Sequence, residues 1–132
     1  MQTKLMYLSD LKFSIETWKR ELRFHFHEMD TFQDKLEEVA RRSQDPETMI
    51  KLEVFQNRIM LEKDAISKLK HRCRNKMVNI LNVDFNENID GRLQNEQRPL
   101  KEDMRTYIKL HYDLKEEMMD FFLEVLQEEP VV

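Results

Sequence analysis

Three side chains stand where chemistry could be done: His25, Glu62 and His111. Each interrupts a line of apolar residues spaced alternately by three and four. The first line runs Leu8, Leu11, Ile15, Trp18, Leu22, His25, Met29, Phe32, Leu36 and Val39. The second holds Leu52, Phe55, Ile59, Glu62, Ile66, Leu69, Cys73, Lys76 and Ile80, and the third Leu100, Met104, Tyr107, His111, Leu114, Met118, Phe121 and Val125. Two imidazoles and a carboxylate suit a divalent ion such as zinc, with water in a fourth position. Glu28, three residues beyond His25, would supply a further ligand or orient one. The same groups also suit a buried hydrogen-bonded layer. In that case the Glu62 carboxylate accepts from one or both imidazoles and fixes the register of a bundle. We prefer the layer, because the set is assembled across helices and not from a contiguous motif.

Other chemistry finds little support. A ferritin-like two-metal centre needs Glu-x-x-His units, and no such unit leads into any histidine of this chain. Cys73 lies eleven residues from Glu62, about three helical turns, too far to act as a nucleophile with that layer. His27 and His71 fall off the apolar lines and are expected in solvent. No nucleophile–base pair or phosphate loop can be assembled, so no enzyme activity is expected.

The elements that must position these groups follow from the same spacing. A three-four alternation keeps one seam facing a partner along its length, the geometry of a left-handed bundle. One glycine and three prolines in 132 residues leave few breaks. Asp45 is a good N-cap with Pro46 at the first helical position. The asparagines, Asp90–Gly91 and Pro99 mark a connection of about a dozen or more residues, and Pro130 closes the last helix. The expected fold is all-α, an antiparallel bundle of three long helices at about 3–42, 46–82 and 97–129, in one domain over 1–132. A turn near residue 43 or 44 makes facing residues of the first two helices share an index sum of about 87, which His25 and Glu62 meet. Aligning the parallel first and third helices gives an offset of about 86, which takes His25 to His111.

Charge adds a second pattern. The net charge is −4, yet residues 11–23, 63–76 and 97–109 carry +2, +5 and +2 while 30–42, 45–57 and 116–129 carry −1, −2 and −6. One end of the rod is therefore basic and the other acidic. The basic run KLKHRCRNK, residues 68–76, has no aromatic residues interleaved, so nucleic acid is not an expected partner. A single cysteine implies no oxidising compartment, and no stretch approaches the roughly 20 apolar residues of a membrane span. A cytoplasmic location is expected.

Beside the seams lie further apolar residues: Phe13, Phe24 and Phe26 on the first helix, Ile108, Met119 and Phe122 on the third. Such flanks either dock a partner or lie under the connection through Val83, Phe85, Ile89 and Leu93. The sequence thus reads as a non-enzymatic helical-bundle scaffold or protein-interaction module. Its partner would be a second copy, giving a dimer, or another helical protein, with Phe24, Phe26, Ile108, Met119 and Phe122 at the interface. The alternative is a metal-binding bundle with His25, Glu62, His111 and Glu28 around a divalent ion; no other cofactor is expected.

Overall fold

The computed structural model describes the backbone of residues 2–82 and 92–127, and the side chains of 8–82 and 97–125. Three helices account for nearly all of it: α1 (Gln2–Arg42), α2 (Pro46–Leu81) and α3 (Arg92–Gln127). No strand occurs among the described residues. The all-α three-helix bundle is therefore as expected.

Local chemistry explains the turn between α1 and α2. The Asp45 backbone is extended, with φ −62° and ψ 125°, and its side chain accepts the Thr48 N–H at 3.0 Å. Pro46 opens the helix where a missing N–H is harmless. Replacing Asp45 with alanine should cost about 1 kcal/mol, read as a lower urea midpoint with an unchanged slope.

The start of α3 corrects the sequence reading. It begins at Arg92, five residues before the expected 97, and Pro99 lies inside it. Arg92, Leu93, Gln94, Glu96 and Gln97 are good helix formers. Pro99 removes the one hydrogen bond that would reach the Asn95 carbonyl, and the helix continues past it. The link from α2 is correspondingly shorter, ten residues from 82 to 91. Expected core roles for Val83, Phe85, Ile89 and the Leu93 side chain, and the closing role of Pro130, lie outside the described residues.

The seam residues form two apolar clusters stacked end to end. One joins Leu11, Ile15 and Leu22 to Ile66, Leu69, Leu100 and Met104. The other joins Met29, Leu36, Leu52, Ile59, Leu114 and Met118. Between them sit His25, Glu62 and His111, all buried. The first cluster belongs to the basic end and the second to the acidic end, so the sorted charge runs along the rod. Of the three helix pairs, α1 and α2 pack most extensively and α1 and α3 least.

The flanking apolar residues divide. Phe122 is 5 % exposed and stacks on Phe32, so it belongs to the core and not to an interface. Phe26 and Ile108 are half-buried against the basic-end cluster. Only Phe24 and Met119 of the expected interface set remain open, at 63 % and 45 %. A helix face wider than its seam can be filled by its own neighbours, and sequence spacing does not show where that filling stops.

Candidate polar layer and its surroundings

The layer exists, with a wiring that differs from the simplest version. The imidazoles of His25 and His111 stack, with ring centroids 3.7 Å apart and planes 6° from parallel. This stack sets the parallel α1 and α3 at the expected offset. Glu62 bonds His111 at Nδ1 and does not bond His25. Glu28 takes the other nitrogen of the same ring, Nε2, at 3.0 Å. Lys115 then donates to the second oxygen of Glu28 at 2.9 Å. The result is an alternating line, Glu62–His111–Glu28–Lys115, leading from the core toward solvent.

His25 has a separate partner. Its Nδ1 lies 2.8 Å from the Tyr107 hydroxyl, and Glu21 lies 3.7 Å from Nε2. Glu21 favours a proton on Nε2, which leaves Nδ1 to accept from the phenol.

The two histidines are pushed in opposite directions. Burial, then the neighbouring charge of His111, lowers the His25 pKa to about 4, so this ring is neutral near neutral pH. Burial opposes charge on His111 too, but its hydrogen bonds to Glu62 and Glu28 outweigh that and raise its pKa. His111 is then an imidazolium that donates from both nitrogens. For Glu28, burial is outweighed by the bonds from Lys115 and His111, which hold its pKa below the usual carboxylate range. Burial raises the pKa of Tyr107, keeping it a phenol. One neutral and one charged ring can stack where two charged rings would repel.

Sequence spacing found His25, Glu62, His111 and Glu28, and all four come together. It missed Tyr107 and Lys115. Both were legible in principle, since they lie four residues before and after His111 and so on the same helix face.

As a metal centre the arrangement is constrained. Among the described residues, no group of three His, Cys, Asp or Glu is placed to hold an ion. Both nitrogens of His111 already face carboxylates, and His25 faces Tyr107. One feature does suit a further ligand: Glu62 Oε2 is buried without a hydrogen-bond partner. Glu62 and His111 also line a groove of about 250 Å³ between α2 and α3, with Leu61, Leu110 and Leu114 beside them.

The chain matches no family model, no curated protein and no solved structure.

Residues outside the layer look structural. Cys73 is fully buried, and burial raises its pKa to about 11, so its sulfur is a protonated thiol. His27 and His71 are exposed, as expected. In the basic run, Arg72 pairs with Asp103 at 2.6 Å and Lys68 with Asp64 at 2.9 Å. No described helix is long and apolar enough to cross a membrane.

Proposed function

We propose that the chain is a non-enzymatic helical scaffold that presents its outer faces to another protein. One observation carries this reading. Large apolar side chains remain open on a bundle whose core is already filled, among them Phe13 at 65 %, Phe24 at 63 %, Leu61 at 70 % and Leu110 at 61 %. Solvating that many large side chains is costly for an isolated rod, and such surfaces usually mark contacts. The polar layer serves the same role by holding the helices in one register, so that the faces keep a fixed pattern. A cytoplasmic location agrees with the lone buried thiol.

Photo-crosslinking tests this. A diazirine amino acid at position 24 or 119 should give protein adducts in cell extract, while the same probe at exposed Gln56 should give few. Equal labelling at all three positions would defeat the proposal.

A second reading is a divalent-ion site formed by His25, Glu62, His111 and Glu28. The partnerless Oε2 of Glu62 favours it. To serve as ligands, the imidazoles would have to leave their stack and His111 give up one carboxylate. Elemental analysis of untagged protein would show near-stoichiometric metal under this reading and background under the first.

A further inference from the structure

We propose that the face formed by α1 and α3 binds a second copy of the chain, antiparallel, with the two-fold axis crossing at the level of the stacked imidazoles. This rests on the interaction-module reading and names its partner and surface.

The apolar pattern comes first. On α1, Phe13 and Phe24 are eleven residues apart, three turns, and so lie in line. On α3, Tyr112 and Leu123 have the same spacing. All four are at least half exposed, the least open being Tyr112 at 50 %. Phe24 and Tyr112 both lie edge-on to His25, so they share the α1–α3 face at the level of the layer. Phe13 is twelve residues before His25, and Leu123 twelve after His111. At 1.5 Å per residue each lies about 18 Å from the layer, in opposite directions. Turning one copy end over end about that level brings its Phe13 to the height of the other's Leu123. It also brings Phe24 and Tyr112 of both copies together near the axis.

Charge obeys the same symmetry. Arg105 lies seven residues before Tyr112 and Glu116 seven before Leu123, so both share the stripe of those two residues, six before and five after His111. Both are exposed. In the antiparallel pair, Arg105 comes level with the partner's Glu116. A parallel pair would place like charges together. The basic and acidic ends of the whole rod are matched by the same operation, and electrostatic matching of this kind selects orientation as well as partner.

The face is large enough. From Phe13 to Leu123 it runs about 36 Å, and two helices make it about 20 Å wide, or roughly 700 Å² per copy. Stable interfaces bury about 1,200–2,000 Å² in total, or roughly 600–1,000 Å² per partner. The α2–α3 face is a poorer candidate. Its open apolar residues Ile50, Val54, Leu61 and Leu110 lie level with the layer or toward the acidic end, and so do not repeat under the two-fold turn.

Light scattering coupled to gel filtration tests the inference on the full chain. The expected mass is twice the 16.2 kDa of one chain. Arg105→Glu should weaken the pair at least tenfold, as should Glu116→Arg. Mixing these two variants should restore pairing, because each then meets opposite charge on the other. Circular dichroism checks that each variant stays helical. A monomer at 100 μM overturns the inference, and so does a dimer that ignores the charge reversals. A monomer that still crosslinks to a different protein through positions 24 and 119 would overturn self-pairing alone. Absence of any adduct would remove the interaction-module reading as well.

Discussion

Replacing Glu62 with leucine should destabilise the protein by about 3 kcal/mol, the low end of the 3–5 kcal/mol seen when a buried charge loses its partner. The low end applies because His111 keeps Glu28. Its remaining bond still leads through Glu28 to Lys115, so the imidazolium is not abandoned outright. The variant also loses one of the two bonds that raise the His111 pKa, so that value should fall toward or below the ordinary range. Urea denaturation gives the first quantity, and an NMR titration of the ring protons gives the second. A loss under about 0.5 kcal/mol, within the range of ordinary surface substitutions, would mean that the carboxylate does not support the ring. Glu62→Gln keeps the shape and removes only the charge. It should fall between leucine and the parent.

Acidification should reveal the other histidine. The folded pKa of His25 is about 4, below the ordinary 6.5. In the unfolded chain the ring takes up a proton at 6.5, while in the folded chain it resists until about 4. The unfolded state thus binds more protons between these values, and stability falls as pH drops from 6.5 to 4. At 1.36 kcal/mol per unit the loss is about 3 kcal/mol. His111 works in the opposite sense. Its raised pKa contributes stability that is complete below 6.5 and is lost as pH rises through the folded value. Protonation of Glu28, whose pKa is lowered, adds to the acid loss below its ordinary value of 4.5. Maximum stability should therefore lie near pH 6.5. His25→Gln should flatten the limb between 6.5 and 4.5 and leave the alkaline limb in place. An NMR titration placing His25 at 6.5 in the folded protein would contradict the burial and stacking described above.

Much of this was readable before any coordinates. The Leu, Ile and Met of the three lines impose a seam, and the Asp45–Pro46 cap fixes where α2 begins. A short turn then aligns His25 with Glu62 by simple counting. Helix α3 was harder. Pro99 reads as a boundary and points to a start near 97, while the preceding Arg, Leu and Gln residues favour a helix strongly enough to run through it. The level of the layer was legible, but its wiring was not. Spacing places two imidazoles and a carboxylate at one height, yet which ring takes the carboxylate depends on rotation of each helix about its own axis. Tyr107 illustrates the difficulty: it reads as an apolar seam residue, and its hydroxyl matters only once His25 is known to lie 2.8 Å away. The outer faces were half legible. Phe24 and Phe122 look alike in the sequence, and only packing separates the open ring from the covered one.

The polar level also explains how a chain with one tight turn and one slack link settles on a single alignment. Ser43, Gln44 and Asp45 leave α2 almost no freedom to slide against α1. Ten residues precede α3, ample chain for a seven-residue displacement, and the leucines and methionines of its line would tolerate one. Such a displacement would bring Met104 or Met118 beneath His25 and leave Glu62 facing a thioether. In this molecule the tether positions the second rod, and an imidazolium held between two carboxylates positions the third.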